Sequence, residues 1–249
     1  MEAPVNPKGF APEPVFVKKQ QETATAMALE LYIFNLCPHC QRVRVALNAL
    51  GLPHQLHRLD PANKPPGFSA ISPLGSVPAL RVDGQASLLD SLAINEYLNE
   101  RGGGLLLPAD PLARGVLRGW TGFASDIQSD MGKLLAAETE PALTSAAATM
   151  SKKWRVLEGI IDQGILPAAP HPLTLLDAVL APLFLRCRVF HDHLPLVEAG
   201  SMPHLHAWQE WLSNEPAVVQ AVDGDFPALF LRFIDQRSGG ALAARIEGE

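Results

Sequence analysis

The chain has 249 residues, of which 47% are hydrophobic and 18% charged, so it can build a sizeable core in one large domain or two ordinary ones. A formal net charge of -6 at pH 7 argues against nucleic acid as the main partner, because phosphate binding needs a basic face. Three cysteines are too few for a disulfide scaffold, and the sequence has neither a membrane-spanning apolar run nor an apolar signal core, so we expect a cytoplasmic protein without a membrane partner.

Residues 1–28 contain several prolines and no sustained apolar period, so they predict an extended arm ahead of the first domain. The first domain, residues 29–105, begins with the apolar run Leu31–Phe34, whose aromatic and β-branched residues indicate a buried strand. Cys-Pro-His-Cys follows, and the apolar residues after it recur at helical spacing. Pro38 suits the first position of that helix, which places Cys37 at its N-terminal cap.

The expected position of Cys37 favours its thiolate, because free backbone amides and the positive end of the helix dipole face the sulfur. Arg42 and Arg44 add positive charge nearby unless their side chains point to solvent. Two cysteines at this spacing also occur in zinc sites and structural disulfides. A zinc site needs further ligands, however, and the only other cysteine, Cys187, lies far downstream. A strand followed by CxxC and a helix is instead typical of a thioredoxin-like redox site, with Cys37 as the nucleophile.

The rest of the first domain alternates short strands with helices. The predicted elements are a strand at 54–59, a helical turn at 68–71, a strand at 79–82, a hairpin turn at Asp83-Gly84, a return strand at 86–89 and a helix opened by Asp90-Ser91. Val77-Pro78 immediately precedes a strand, a place where a sheet accepts proline. A cis bond there would leave the backbone of Val77 free to pair with an extended peptide.

This order of motifs resembles the N-terminal domain of the cytosolic glutathione transferase superfamily. The long arm, the cysteine at the helix start, the stretch Asn63-Lys64-Pro65 and the junction Leu106–Pro111 make the chain most similar to the omega class. The second cysteine is similar to that of a two-domain bacterial glutaredoxin with the same fold. The resemblance implies a thioredoxin-like α/β domain followed by an all-α domain, with glutathione as the co-substrate and a homodimer as the assembly.

Residues 112–240 carry helical apolar patterns and are expected to form the all-α domain. The run Thr174-Leu175-Leu176-Asp177 matches a capping box in its acidic form, and the same box stands before the central helix of the transferase family. Cys187 follows among apolar neighbours, so we expect a buried packing residue. Residues beyond Gly239 are small and charged, and we expect them to be frayed.

The resemblance implies a covalent role for Cys37. Tyrosine or serine holds this place in the conjugating classes, where the hydroxyl stabilises the glutathione thiolate, whereas an omega-like cysteine becomes linked to glutathione itself. Cys40 departs from the omega pattern, and it is either a resolving thiol or a small buried residue on the inner face of the helix. His39 lies beside the thiol and either tunes it, as part of the glutathione site, or faces solvent.

The same resemblance assigns the glutathione contacts. Asp90 pairs with the γ-glutamyl ammonium and Ser91 binds the neighbouring carboxylate, at a helix start that suits an anion. The alternative for Asp90 and Ser91 is an ordinary helix N-terminus. Val77, followed by Pro78, pairs its backbone with the cysteinyl part. Lys64 reaches the glycyl carboxylate, unless it is a solvated loop lysine.

Two further sequence patterns bear on the acceptor pocket and on metal binding. Trp120 and Phe123, on the first helix of the all-α domain, either line the acceptor pocket or belong to the core. The His-x-His runs at 191–193 and 204–206 offer metal-ligand side chains, but alternate residues of one helix point to different faces. No metal site is therefore expected.

Together these features predict a glutathione-dependent thiol transferase or reductase, which acts on mixed disulfides or dehydroascorbate through a cysteine nucleophile. One alternative is conjugation of glutathione to small electrophiles. Another is a non-catalytic relative that binds a protein partner, although the full set of expected glutathione contacts argues against that role. The expected partners are glutathione and a small-molecule or disulfide acceptor.

Overall fold

The computed structural model describes residues 28–238 and 240–248, so the predicted N-terminal arm lies outside the described residues except for Ala28. The first domain contains a four-stranded sheet. Its strands are β1 Leu29–Ile33, β2 Gln55–Arg58, β3 Ala79–Val82 and β4 Ala86–Leu89. They lie in the order β2-β1-β3-β4, with β1 parallel to β2 and antiparallel to β3, and with β3 antiparallel to β4.

Helices cover both faces of this sheet. The helices α1 Pro38–Ala49 and α3 Ser91–Arg101 pack on one face, and the short helix α2 Phe68–Ile71 lies on the other. The alternation of side chains along β1 produces this division, because Leu31 faces α1 and α3 whereas Tyr32 faces α2. The result is the predicted thioredoxin-like domain, with the N-terminus of α1 directly after the central strand β1.

The hairpin between β3 and β4 follows the sequence signal. Asp83 and Gly84 have φ angles of 54° and 67°, in the left-handed region. A turn with positive φ at both central residues matches the twist of paired strands, and aspartate and glycine tolerate it. The predicted turn is confirmed.

The second domain is helical. Its elements are α4 Pro111–Leu135, α5 Glu140–Asp162, α6 Leu175–Val189, α7 Pro203–Asn214, α8 Pro216–Val219, α9 Phe226–Ser238 and α10 Ala241–Glu247. Helix α6 lies at the centre, packed against α4, α7 and α9 and also against α1 of the first domain. Trp154 and Trp208 both lie against Phe184 in its core. Within the described ranges, no helix combines the length and apolar character needed to span a bilayer.

Two predictions for the helical domain are confirmed and one is wrong. The capping box at the start of α6 is present, since Asp177 accepts from the Thr174 backbone amide at 2.8 Å while its own amide donates to the Thr174 hydroxyl. Cys187 is buried on α6. The residues after 239 were expected to be frayed, but Ala241–Glu247 form the helix α10. Leu242 there is buried, and the amide of Ala241 donates to the carbonyl of Ala137.

Candidate active site

Cys37 stands at the N-terminal cap of α1, as its sequence position predicts. Its backbone is extended (φ -72°, ψ 117°), Pro38 follows as the first helical residue, and among the described residues no hydrogen bond caps the helix through a Cys37 side-chain acceptor. The side chain is half-buried, so it is sheltered but reachable. Pro38 has no amide proton and the Cys40 amide also donates to the Cys37 carbonyl at 3.1 Å, so the His39 amide and the positive end of the helix dipole remain for the sulfur.

The two cysteines of the motif differ strongly in acidity. A hydrogen bond from Cys40, with the backbone amides of Cys40 and His39, lowers the pKa of Cys37 to about 7, although burial acts in the opposite direction. Burial raises the pKa of Cys40 well above its usual range. Cys40 is 0% exposed and does not meet solvent. Its thiol donates to the Cys37 sulfur. Near neutral pH, the ionised thiol of the pair is Cys37.

A cleft of ≈ 740 Å³ opens beside Cys37, between the two domains. Its wall is mostly apolar. The residues that supply this character include Phe34, Leu36, Leu59, Leu135, Phe230 and Phe233. Gln128 and Arg186 add polar groups from the helical domain. Another cavity, of ≈ 600 Å³, lies between α4 and α5, but its wall has no cysteine, so the cleft at Cys37 is the candidate site.

Arg186 is the functional candidate that sequence reasoning missed. It lies in the last turn of α6 but is only 1% exposed, and it reaches across the domain boundary. Its guanidinium donates to the carbonyl of Leu36 at 2.6 Å and to Oε1 of Gln41 at 2.6 Å. The available signal was an arginine that directly follows the apolar run Ala178–Leu185 on α6, because buried arginines are rare without a specific task.

The arginines after Cys37 are buried rather than solvated. Arg42 donates to the hydroxyl of Ser125 on α4 at 3.0 Å, and Arg44 donates to the carbonyl of Gln220 at 3.1 Å. His39 is an exposed residue, yet desolvation of its ring, followed by the charge of Arg42, lowers its pKa to about 4. The imidazole is therefore neutral at physiological pH.

The residues expected to hold the γ-glutamyl group stand at the start of α3. One carboxylate oxygen of Asp90 accepts from the amides of Leu92 and Ala93 at 2.9 and 3.0 Å, so Asp90 serves as the N-cap. Asp90 is exposed and has a φ of 72°, whereas Ser91, the first helical residue, is buried. The N-cap role that competed with ligand binding is thus present, and it leaves the second carboxylate oxygen of Asp90 without a capping bond among the described residues.

The other expected glutathione contacts surround the same region. The ammonium of Lys64 lies 5.9 Å from the ring centroid of Phe34, which lines the cleft. The same ammonium would be 3.0 Å from a Cβ at Gly75, so glycine at this position leaves the lysine head room close to the backbone. The Val77–Pro78 peptide bond is cis.

The structure separates Trp120 and Phe123 from this cleft. Their rings meet edge to face at 5.4 Å and pack against the helical core, and neither belongs to the described wall of the cleft. Helix α4 contributes Gln128 and Leu135 instead, further along the helix. Trp120 and Phe123 are only partly buried, and the buried stripe of α4 instead includes Ala124, Ile127 and Met131.

In the parts of the chain that the structure describes, no three His, Cys, Asp or Glu side chains lie close enough together to bind a metal ion. Burial raises the pKa of the third cysteine, Cys187, to about 12, so that thiol stays protonated.

Comparison with known proteins decides the family. A family model described as the N-terminal domain of glutathione S-transferase matches residues 31–104. Glutathione S-transferase 3 of Zea mays is 31% identical over 212 residues, which cover 78% of this chain and 93% of the relative. The chain belongs to the glutathione S-transferase family.

The omega-like character and the fold class are also confirmed. Glutathione S-transferase omega-1 of Sus scrofa is 28% identical over 194 residues, which cover 76% of this chain and 78% of the relative. The crystal structure of rice GST1 in complex with glutathione superimposes with a TM-score of 0.73 at 22% identity, over 84% of this chain and 96% of that chain. The chain is thus an omega-like, glutathione-dependent transferase with the transferase fold, and glutathione is the co-substrate of the family.

Proposed function

We propose that this transferase is an omega-like thiol transferase in which Cys37 is the nucleophile. The observation that carries the proposal is the position of Cys37: a half-buried thiol at a helix N-terminus, open to a cleft of ≈ 740 Å³, with its pKa lowered to about 7. A thiol near this pKa is largely ionised at neutral pH but keeps good nucleophilicity. This combination suits disulfide exchange.

The proposed reaction has two exchange steps. The Cys37 thiolate attacks the glutathione sulfur of a mixed disulfide; the old S–S bond breaks, and the acceptor leaves as a thiolate that takes a proton from water. The thiolate of a second glutathione then attacks the Cys37–glutathione disulfide. This step releases glutathione disulfide, made of the glutathione from the mixed disulfide and the second glutathione, and it restores the Cys37 thiolate. The net reaction frees the acceptor as a thiol and consumes one free glutathione.

We assign Cys40 a supporting role in this cycle. It is completely buried and its pKa is raised well above the usual range, which makes it a poor attacking thiolate. Its S–H donates to the Cys37 sulfur and stabilises the negative charge there. A monothiol route, in which free glutathione resolves the intermediate, follows from this difference.

The proposed glutathione site runs from the start of α3 to Lys64. The backbone amide and hydroxyl of Ser91 take the γ-glutamyl carboxylate, and the uncapped oxygen of Asp90 takes the ammonium. Val77 pairs with the cysteinyl part, and Lys64, held beside Phe34, meets the glycyl carboxylate. His39 borders the thiol as a neutral neighbour.

One observation favours conjugation as a second candidate function. The cleft wall is largely apolar, with Phe34 on one side and Phe230 on the other, and such a wall suits a small apolar electrophile. In that case the glutathione thiolate would be the nucleophile and Cys37 would stabilise it. A non-catalytic binding role has no comparable observation in its favour.

The deciding experiment is intact-mass measurement after incubation with glutathione disulfide. We expect one added glutathione on the wild type, its loss in Cys37→Ser and its persistence in Cys40→Ser. An internal disulfide between Cys37 and Cys40 would replace the monothiol route by a dithiol one. If the wild type forms neither product, the nucleophile assignment is wrong, and conjugation should be assayed next.

A further inference from the structure

The guanidinium of Arg186 is buried without a carboxylate partner. Its hydrogen bonds all go to neutral oxygens: the carbonyls of Leu36 and Pro182, at 2.6 and 2.7 Å, and Oε1 of Gln41 at 2.6 Å. Across the described parts of the chain, none of the ion pairs includes Arg186. Burying a charge is costly unless an opposite charge or strong hydrogen bonds compensate for it.

Two aromatic rings complete the surroundings of this cation. The Arg186 guanidinium carbon lies 5.4 Å from the ring centroid of Phe226 and 5.1 Å from that of Phe230. Ring faces attract a cation but do not neutralise it. Burial lowers the pKa of Arg186 to about 10, so the group remains charged at neutral pH. The site therefore holds a permanent positive charge in a water-poor environment, where its field is weakly screened.

The group that faces this charge is Cys37. Arg186 and Cys37 line the same cleft, and the Leu36 carbonyl that accepts from Arg186 belongs to the peptide unit directly before Cys37. One side chain of the helical domain therefore holds the backbone directly before the nucleophile and brings a positive charge to the cleft that Cys37 lines. Neither Lys64 nor the exposed His39 has a comparable buried contact with this backbone.

We propose that Arg186 is a positioning residue that supplies the counter-charge of the Cys37 thiolate from the helical domain. The assignment rests on the proposed function, because it requires Cys37 to be the nucleophile. Ionisation of Cys37 releases its proton to solvent and converts an unpaired buried cation into an ion pair. The helical domain then does more than form the acceptor cleft, since it makes the thiol of the other domain reactive.

The remaining charged and titratable groups near Cys37 are accounted for. On α1, Cys40 donates a hydrogen bond, His39 is neutral, and Arg42 is a second buried cation. At the start of α3, the negative carboxylate of Asp90 attracts the Arg42 guanidinium and partly offsets its positive charge. The titratable groups that act on Arg186 in the described part of the chain are Cys37 and the buried Cys187. Cys187 stays protonated, so the charge of Arg186 is available to the Cys37 thiolate.

The test is the pH dependence of iodoacetamide alkylation at Cys37, followed by intact mass. All variants carry Cys40→Ser, which keeps a hydroxyl donor beside Cys37, and Cys187 stays protonated. Arg186→Met removes the charge and the hydrogen bonds. Arg186→Gln removes the charge but keeps a donor for the Leu36 carbonyl, and Arg186→Lys keeps the charge.

Arg44→Met is the matched control. Arg44 is also buried and also binds a distant backbone carbonyl, that of Gln220, but it pairs with Asp223 and does not line the cleft. Circular dichroism and thermal unfolding identify the variants that are folded. The Gln variant keeps the comparison valid if Arg186→Met does not fold.

We expect the midpoint of alkylation to rise by about one pH unit or more in Arg186→Met and Arg186→Gln, while Arg186→Lys and Arg44→Met stay near the parent. If the midpoint does not change in folded Arg186→Met or Arg186→Gln, Arg186 only connects the two domains structurally, and the proposal is wrong. An equal rise in Arg44→Met would also overturn it, because general loosening would then be the cause. Absence of alkylation at Cys37 in the parent would instead refute the proposed nucleophile.

Discussion

The N-termini of α1 and α6 use the same backbone groups for opposite purposes. At α6, the side chains of Thr174 and Asp177 each accept from the other's backbone amide, and Asp177 also accepts from the indole of Trp208 at 2.7 Å. At α1, the cap is Cys37, and within the described residues no side-chain acceptor closes the turn. The start of α6 is buried and its capping hydrogen bonds are made, whereas the start of α1 opens to the cleft.

The comparison separates stability from reactivity. A helix start whose amides are already bound contributes to the free energy of unfolding, and a helix start whose amides are free can stabilise a thiolate or a bound anion. In this chain the two ends are also connected, because α6 begins with the box and carries Arg186 in its last turn, against α1. Variants at the start of α6 should therefore change the free energy of unfolding, whereas variants at the start of α1 should change the reactivity of Cys37.

The largest effect is expected for Cys37→Ser. Glutathione-dependent reduction of a mixed disulfide should fall by roughly a factor of 10³ in kcat/KM, because the covalent intermediate is lost. Steady-state assays with a glutathionylated peptide measure this. Cys187→Ala, a buried thiol outside the cleft, is the matched control and should keep its activity. Equal losses in both variants would indicate damage to the fold and not to the nucleophile.

Asp177→Ala should damage the other terminus. The change leaves the Thr174 amide and the Trp208 indole without their acceptor in a fully buried site, so we expect a loss of about 3 kcal/mol in the free energy of unfolding. Urea denaturation measures it. The alkylation midpoint of Cys37 should not move in the folded variant, and a shift there would contradict the division between the two termini.

The thiolate at α1 should make stability depend on pH. The folded pKa of Cys37 is about 7, below the value of about 8.5 expected for an unfolded chain, so the folded state holds this proton less tightly. The contribution is complete above pH 8.5 and is lost as the pH falls through 7, which amounts to about 2 kcal/mol.

Urea denaturation at pH 6 and pH 9 compares the parent with Cys37→Ser. Both proteins should carry Cys40→Ser, because the raised pKa of Cys40 acts with the opposite sign. If both proteins change stability in parallel between these pH values, the thiolate is not stabilised in the fold.

The smallest difference concerns the caps themselves. Thr174→Ala removes a side chain that accepts from the Asp177 amide and should cost about 1 kcal/mol. Cys37→Ala removes no capping bond among the described residues, so at pH 6, where the thiol is protonated, it should cost less than about 0.5 kcal/mol. Thermal or urea unfolding of the two variants compares them, and a similar loss in both would mean that Cys37 also serves as a structural cap.

The parts of the fold that depend on neighbours in sequence were predictable. The strand before Cys37, the cap position of Cys37, the Asp83-Gly84 turn and the Thr174 capping box all follow from local patterns, and the structure has each of them. The family resemblance drew on the same local motifs.

The parts that depend on packing were not predictable. Trp120 and Phe123 have the right helical spacing, but the crossing of α4 with the first domain selects Gln128 and Leu135 for the cleft. Helix α10 was missed because its small residues give a weak pattern, which becomes a buried face only where Ala241 meets Ala137.

The sequence by itself determined the thioredoxin-like order, the helical second domain and the cysteine at a helix start. Only the tertiary structure decided which charges are buried beside that cysteine. Arg186 and Leu36 are 150 residues apart, and no local pattern relates two such positions. Burial and the field of a charge depend on everything that surrounds a group in space, so the acidity of Cys37 is a property of the assembled domains.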